Sequence, residues 1–323
     1  MKSILALSFL ICSAGEDKTL VNSIPDKVAI LNYVEADNLR IFPLTFSGTA
    51  KSFISLKDAL DKGLVVVQEK NEGEVNTVML KNKGTSAVFA MAGEVVLGAK
   101  QDRMIENDII IPPNSGWIEV SVYCTEHGRW SGSSKEFASA DINVSPSVRA
   151  NARQNKDQGQ VWSEVAKNQE KVMGENSETG AFRDIYDSKS YQGDRDKYFK
   201  KFENLVENNT SIKGVIVCVG SDVLCIDLFS SNSMFEEYWY KLLDSYIVEA
   251  MGGDDDGSVS LEEAKDFLKE FDDVAVKDEY SPGSGDLYEL DSGETQGSAV
   301  LSGGALVHTD LFPQVQVVPY YER

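Results

Sequence analysis

The sequence predicts an α+β protein with an antiparallel, β-sandwich-like amino-terminal half and a mixed helical and β carboxyl-terminal half. Three observations support this class. From about Val28 to Val144, short alternating or apolar runs are separated by turn residues, which is typical of antiparallel strands. From Pro146 the chain becomes polar and shows helical periodicity. Strand-like runs return after Ser298, where they can rejoin the first sheet.

The individual elements follow from periodicity and punctuation. A first helix is expected from Ser52 to Gly63, and an amphipathic helix is expected in the run QGQVWSEVAKNQEKVMG. The run GVIVCVGSDVLCIDLF predicts a hairpin. Apolar residues at three-four spacing between Phe235 and Ala250 predict a largely buried helix, and another helix is expected at about 261 to 271.

The amino terminus resembles a secretory signal. Lys2 precedes an apolar run from Ile4 to Ile11, and small residues follow up to Ala14. The sequence therefore divides into a predicted signal peptide at 1–14, a β-rich half at 15–145 and a second half at 146–323 that packs against the first. A secreted or periplasmic location follows from this interpretation. The alternative is a first β-strand and a cytoplasmic protein. No later segment approaches the roughly 20 apolar residues of a membrane span.

The charge balance restricts the partners. The 323 residues include 31 basic and 52 acidic side chains, a net charge of −21. A surface this negative repels nucleic acid, whereas a local basic pocket for one small anion is compatible with it. The chain contains no phosphate-binding loop, dinucleotide fingerprint or nucleophile elbow, so the sequence specifies no cofactor.

The cysteines raise the question of a disulfide. A two-residue hairpin loop at Ser221 and Asp222 would place Cys218 opposite Cys225 on one side of the hairpin. A disulfide is geometrically feasible in an exported protein, but buried free thiols are the favoured interpretation. Cys124 would then be unpaired.

One acidic stretch, GGDDDGSVSLEEA, resembles a calcium-binding loop. Three of its carboxylates occupy coordinating positions: Asp254, Asp256 and Glu263. The first coordinating position is Gly252, which has no ligand atom in its side chain. The alternative is an acidic loop in which Ser258 or Ser260 caps the next helix.

The densest group of reactive side chains is YCTEHGRW, residues 123–130. Cys124, Glu126 and His127 include a nucleophile and a base, but side chains alternate along a strand. Cys124 and Glu126 would therefore share one side, and His127 would face away from them.

A better candidate combines this group with GEVVLGAKQDR, residues 93–103. If the strands are neighbours, two arginines could bind a carboxylate or phosphate beside a tryptophan. The predicted ligand-binding residues are Lys100, Gln101, Arg103, Arg129 and Trp130, with Glu94 and Glu126 as candidate general bases. The alternative is that the same glutamates and arginines pair with each other in a buried ion network.

Read together with QGQVWSEV, DLFSSNSMFEEYWYKLLDSY and GGALVHTDLF, these two motifs resemble the ARG and rhodanese-phosphatase-superfamily-associated protein domain. The resemblance covers most of the chain, and its most specific parts are GAKQDR and EHGRW. The motif positions carried over are Glu94, Gly98, Lys100, Gln101, Arg103, Glu126, Gly128, Arg129 and Trp130, with Gln160, Trp162 and His308 as lesser matches. Asp102 stands where the pattern has Asn. The family is named for its association with ADP-ribosylglycohydrolases and phosphatases, which implies a ligand of the ADP-ribose or NAD class.

Two functions are therefore expected from the sequence. The first is a module that binds an anionic metabolite, with catalysis left open. The second is a non-catalytic secreted or periplasmic structural protein in which the Arg, Glu and Trp residues stabilise the fold.

Overall fold

The computed structural model describes residues 13–132, 134–253 and 256–315. Most of the predicted signal segment, residues 1–12, lies outside the described residues, as does Asp254 of the acidic stretch.

The described residues form eighteen strands. In chain order they are β1 (Val28–Ile30), β2 (Val34–Ala36), β3 (Leu39–Phe46), β4 (Ile54–Ser55), β5 (Val65–Glu74), β6 (Thr77–Asn82), β7 (Val88–Ala90), β8 (Glu94–Gly98), β9 (Arg103–Ile105), β10 (Ile109–Ile111), β11 (Ile118–Cys124), β12 (Glu136–Asn143), β13 (Ile212–Val219), β14 (Asp222–Phe229), β15 (Ala275–Glu279), β16 (Asp286–Asp291), β17 (Thr295–Leu301) and β18 (Leu306–Pro313).

Nine helices lie between these strands in the described residues. They are α1 (Ser13–Asn22), α2 (Ile24–Lys27), α3 (Leu56–Asp61), α4 (Pro146–Asn155), α5 (Gln158–Met173), α6 (Asp184–Asp187), α7 (Lys189–Phe202), α8 (Asn232–Gly252) and α9 (Leu261–Asp273). None of these helices is long and apolar enough to cross a membrane.

The α+β class is confirmed, but a closed barrel takes the place of the predicted sandwich. Six antiparallel strands close in the order β11-β6-β5-β12-β8-β9, and β10, β7 and β4 form a small separate sheet. A barrel removes the exposed edges that a short-stranded sandwich would leave. Its interior holds its own apolar cluster, which includes Val67, Leu80 and Val122.

The nine-stranded sheet combines early and late strands of the chain. Its nine strands run β1-β3-β13-β14-β18-β17-β16-β15, with β2 also paired to β3. Residues alternate between its faces: Phe42 and Leu44 pack towards α9, whereas Leu39 and Ile41 belong to the cluster with α8. The last strands therefore rejoin early ones, but outside the barrel. The long helix α8 packs on this sheet and also contacts barrel strand β12.

The predicted helices are confirmed with shifted boundaries. Helix α5 begins after its cap Asp157 and ends at Gly174, which has φ of 79°. Helix α3 starts at Leu56 rather than near Ser52, because Ile54 and Ser55 first pair with β7 and the Ser55 hydroxyl then caps the helix.

The register of the β13–β14 hairpin corrects the expected cysteine geometry. A bulge after Val217 pairs Cys225 with Val217 and Cys218 with Val223. The two thiols consequently lie in different apolar clusters on opposite faces of the sheet. Cys124, Cys218 and Cys225 are all free and buried, in agreement with the favoured interpretation.

Candidate functional site

The two predicted motifs meet at one end of the barrel. Strand β9 pairs with β11, with Arg103 opposite Cys124. Beyond these strands, the loop 99–102 packs against the turn 125–132: the Thr125 amide donates to the Asp102 carbonyl at 3.1 Å, and the Ser131 amide donates to the Lys100 carbonyl at 3.3 Å. The condition set by the sequence analysis, that the strands carrying GAKQDR and EHGRW are neighbours, is therefore met.

A third segment, residues 176–182, covers the turn 125–132. Its Thr179 carbonyl accepts a 2.7 Å hydrogen bond from the Gly128 amide. A Cβ atom at position 128 would lie only 2.8 Å from the Glu178 carbonyl oxygen. The close backbone approach explains why glycine occupies this motif position.

Arg129 ties the loop and the turn together. Its Nε and Nη2 atoms donate to the two Glu126 carboxylate oxygens at 2.8 and 2.6 Å. Its Nη1 donates to the Ala99 carbonyl at 3.0 Å, and its Nη2 also reaches Asp102 Oδ1 at 3.1 Å. This bidentate pairing with a fully buried carboxylate raises the pKa of Arg129. Arg129 and Glu126 thus have the geometry of the predicted ion network.

Asp102 is a buried carboxylate between two arginines. Its Oδ2 lies 3.2 Å from Arg183 Nε, and its Oδ1 accepts from the Gly98 amide as well as from Arg129. Burial and the neighbouring Glu126 charge nevertheless raise its pKa, with Arg183 and Arg129 opposing them. The family pattern has Asn here, and Arg183, which the sequence motifs did not include, stabilises the additional negative charge.

Arg103 has a different environment from Arg129. It is fully buried, and the acceptors that its Nη1 reaches are all uncharged: the Gln101 amide oxygen at 3.3 Å, the Asp102 carbonyl at 3.5 Å and the Cys124 sulfur at 3.1 Å. The described residues supply no acceptor for its Nε and Nη2 atoms. A buried guanidinium without a carboxylate is costly, by several kcal/mol.

Trp130 lies over this cation. Its ring centroid is 5.9 Å from Arg103 Cζ and 5.0 Å from Lys100 Nζ, within the range of cation–π attraction. Lys100 Nζ also donates to the Glu72 carbonyl. Trp130 is 49% exposed, so the buried arginine lies close to a half-exposed indole.

Cys124 is enclosed by the same residues. Its thiol donates to Gln101 Oε1 at 2.9 Å, and the Gln158 side chain binds its backbone amide and carbonyl at 2.8 and 2.9 Å. Burial raises its pKa, although Arg103 opposes this. Cys124 is fully buried, whereas His127 is exposed and its ring packs against Trp162.

Charges of both signs meet at this end of the barrel. The cations are Lys100, Arg103, Arg129 and Arg183, and the carboxylates in contact with them or with the loop include Glu69, Asp102 and Glu126. Cations are thus grouped here in a chain with a net charge of −21.

A cavity of about 200 Å³ borders the turn 125–132 on the side of α5. The His127 and Trp162 rings meet there edge to face, with centroids 4.5 Å apart. Gln169, Ser177 and Thr179 supply polar groups to the lining.

Glu94 lies outside this site. Its side chain is buried against Lys241 of α8, with Oε1 2.6 Å from Nζ, and its Oε2 accepts from the Met91 amide. Glu94 begins β8, whereas the loop 99–102 follows the end of that strand. Glu94 and the loop therefore lie at opposite ends of one strand. The predicted grouping of Glu94 with the arginines is wrong for this reason.

His308, a lesser motif match, belongs to a second network that sequence reasoning missed. Its Nδ1 lies 2.6 Å from Asp108 Oδ2, and its Nε2 lies 3.6 Å from Asp227. Asp227 in turn accepts two 2.7 Å hydrogen bonds from Arg149 and one from the Tyr246 hydroxyl. The partners are 19 to 200 positions apart in the chain, so no local pattern could have paired them.

The helix cap expected in the acidic stretch is present at Ser260. The Ser260 hydroxyl and the Glu263 carboxylate form a capping box at the start of α9. Asp256 is exposed. Within the described ranges, no group of three or more His, Cys, Asp or Glu side chains is arranged to hold a metal ion.

Comparison with known proteins supports the motif assignment. The family model of the ARG and Rhodanese-Phosphatase-superfamily-associated Protein domain matches residues 27–312, which include every residue of the site described above. No curated protein and no solved structure matches the chain.

Proposed function

The chain belongs to the ARG and Rhodanese-Phosphatase-superfamily-associated Protein domain family, and we propose that it binds a small anionic metabolite of the ADP-ribose or NAD class at the end of its barrel. One observation carries the proposal: Arg103 is fully buried, and two of its nitrogen atoms lack acceptors among the described residues. A phosphate or carboxylate would supply both the acceptors and the opposite charge.

Trp130 controls access to Arg103 in this proposal. The indole is held to Arg103 and Lys100 by cation–π attraction alone, which is worth about 0.5–1 kcal/mol at exposed sites. A ligand anion displaces the ring from the guanidinium, and the ring then stacks on the ligand. Lys100 adds a second positive charge beside the Trp130 ring.

The nucleotide part of the ligand class is supported by the neighbouring cavity. His127 and Trp162 provide aromatic surfaces, and Ser177 and Thr179 provide polar groups. Nucleotide sites combine an aromatic or apolar surface for the base with cations for the phosphate.

Binding is favoured over catalysis because neither candidate base is available. Both Glu126 oxygens are bound by Arg129, and Glu94 is paired with Lys241. A general base must reach the proton that it removes. In our proposal Glu126 and Arg129 therefore hold the loop and the turn in place, and Arg103, Lys100 and Trp130 contact the ligand.

The test is ligand-induced thermal stabilisation and calorimetric titration with ADP-ribose, NAD, AMP and inorganic phosphate. We expect ADP-ribose or NAD to stabilise the wild-type protein. Arg103→Met should abolish this effect while leaving the unliganded protein at least as stable, because replacing a buried, unpaired charge by an apolar side chain is often neutral or stabilising. Lys100→Gln should weaken binding about tenfold, equivalent to about 1.4 kcal/mol.

The barrel offers a matched control. Lys81 lies 5.7 Å from the Trp117 ring, and Trp117 is also about half exposed. Lys81→Gln makes the same charge change as Lys100→Gln at another lysine–tryptophan pair. Among the described residues no buried arginine lies beside the Trp117 ring, so this substitution should leave binding unchanged. Equal effects of the two substitutions, or the absence of binding across the ligand panel, would refute the proposal.

The alternative function is a structural or interaction protein that is secreted or periplasmic. The Arg129 pairing with Glu126 and Asp102 favours it, because this network joins the loop 99–102 to the turn 125–132. It predicts that no anion of the panel stabilises the protein. Export is tested separately by sequencing the amino terminus of the protein recovered from its native cells.

A further inference from the structure

A second cleft lies where barrel strand β12 meets helices α6, α7 and α8. It has a volume of about 270 Å³ and is lined by Asp141, Ile142, Tyr186, Tyr191, Gln192, Arg195, Lys241 and Asp244. The cleft is separate from the loop 99–102 and the turn 125–132. Glu94, which pairs with the cleft residue Lys241, begins β8, whereas the loop follows the other end of that strand.

A buried ion pair forms the floor of this cleft. The Lys241 and Glu94 side chains are 1% and 3% exposed, with 2.6 Å between Nζ and Oε1. Lys241 Nζ also lies 4.1 Å from the Tyr238 ring centroid. A buried pair of this kind contributes little stability relative to apolar packing. Its position beneath an open cleft, rather than in a sealed core, is consistent with a role in binding.

Hydrogen-bonding groups are fixed on one wall. Asp244 accepts from the Tyr191 hydroxyl at 2.7 Å and from Arg195 Nε and Nη2 at 2.6 and 3.0 Å. The guanidinium has five N–H donors, of which these bonds use two. The network orients Arg195 at the cleft, and Gln192 adds an amide that can both donate and accept.

The opposite wall contains an irregularity of the barrel. Strand β12 has a bulge between Ser139 and Asn143, and Asp141 within it has φ of 52°, in the left-handed region. Bulges and such conformations are frequent beside functional sites, where they redirect a side chain. Here the bulge places Asp141 and Ile142 in the cleft lining.

Two tyrosine rings make an apolar corner. The Tyr186 and Tyr191 rings are nearly perpendicular, at 84°, with centroids 4.9 Å apart. Tyr191 is buried, so the partly buried Tyr186 ring offers the accessible surface for the C–H face of a ligand ring. The two hydroxyls are engaged with Asn143 and Asp244.

The charges nearly cancel, which identifies the ligand class. Two cations, Lys241 and Arg195, face the three carboxylates Glu94, Asp141 and Asp244. A polyanion would meet repulsion, whereas hydroxyl groups can donate to carboxylates and accept from guanidinium and amide groups. The volume is below the about 300–1,000 Å³ of drug-sized sites, so the cleft suits a single ring.

We propose that the cleft between β12, α7 and α8 binds an uncharged ring with adjacent hydroxyl groups, as found in a monosaccharide or in the ribose of a nucleoside. Aromatic walls hold the ring, and Arg195, Gln192 and Asp141 bind the hydroxyls. The binding of the anionic group at the other end of β8 is a separate event.

The test is a titration of the isotope-labelled full chain, followed by amide NMR, with D-glucose, methyl β-D-ribofuranoside and adenosine. We expect shifts confined to residues 139–143, 186–195 and 241–244. Perturbation by D-glucose identifies a monosaccharide site, whereas perturbation by adenosine and methyl β-D-ribofuranoside identifies a nucleoside site. Arg195→Met should weaken binding of the active probe about tenfold.

Lys197→Met is the matched control. Lys197 lies on the same helix as Arg195 and pairs with Asp194 at the surface, and its substitution removes the same charge. It should leave binding unchanged. Circular dichroism melting establishes that both variants are folded. If none of the three probes shifts these resonances, or if the shifts fall at 99–103 or 127–130 instead, the proposal is wrong. The second result would still be compatible with the function proposed for the Arg103 site.

Discussion

Raising the pH above neutrality should weaken this fold through one histidine, His308. The imidazole is fully buried between Asp108 and Asp227, and these carboxylates outweigh burial and raise its pKa to about 9 from 6.5. The other charged groups of the network are Arg149, bound to Asp227, and Arg153, 3.5 Å from Asp310. Cys225 and Tyr246 complete the titratable surroundings, and burial raises the pKa of both.

The sign and the magnitude follow from the two pKa values of His308. The unfolded chain loses the proton near pH 6.5, whereas the folded protein retains it up to about pH 9. The stabilisation is therefore complete below pH 6.5, declines between pH 6.5 and 9 and is lost above that. At about 1.4 kcal/mol per pH unit, the loss is about 3 kcal/mol.

Two measurements check this prediction. Urea unfolding at pH 7 and pH 10 should show that wild-type protein loses about 2–3 kcal/mol more than His308→Gln, in which the titrating group is absent. Imidazole resonances followed by NMR give the midpoint directly, and the only other histidine is the exposed His127.

Two results would refute the reasoning. One is a His308 midpoint below pH 7, which would mean that burial outweighs the two carboxylates. The other is an equal loss of stability in wild type and His308→Gln, which would assign the pH dependence to other groups.

Three further substitutions test the packing. Arg129→Ala should lower the free energy of unfolding by about 3–5 kcal/mol, because it leaves the buried Glu126 carboxylate without its cation and removes one of the two arginines beside Asp102; Lys135→Ala, at an exposed ion pair, should cost less than about 1 kcal/mol, and equal urea midpoints would contradict this. Asp102→Asn should keep or raise the melting temperature at pH 7, because the raised pKa shows that burial and Glu126 disfavour the carboxylate; a clear drop would count against it. Ser260→Ala should cost about 1 kcal/mol by removing the α9 cap, and an unchanged urea midpoint would be inconsistent with that cap.

Local sequence patterns were sufficient for the longer helices and for part of the site, but not for α1, α2, α4 and α6. Helical periodicity identifies α5, α8 and α9. Cys124 and Glu126 are buried and His127 is exposed, but β11 ends at Cys124, so the turn that follows sets this arrangement rather than strand alternation. The adjacency of GAKQDR and EHGRW was also predictable, because β9 and β11 are separated along the chain only by β10 and short connections.

What the sequence by itself determined is therefore local: the elements, their buried faces, the acidic surface and the two motifs. Tertiary structure alone decided the closure of the barrel, the bulge that separates Cys218 from Cys225, and the pairing of Glu94 with Lys241. It also decided that Arg129 has carboxylate partners and that Arg103 contacts only uncharged groups. The physical reason is that local propensity acts over one or two turns, whereas strand register and buried ion pairs depend on residues far apart in the chain.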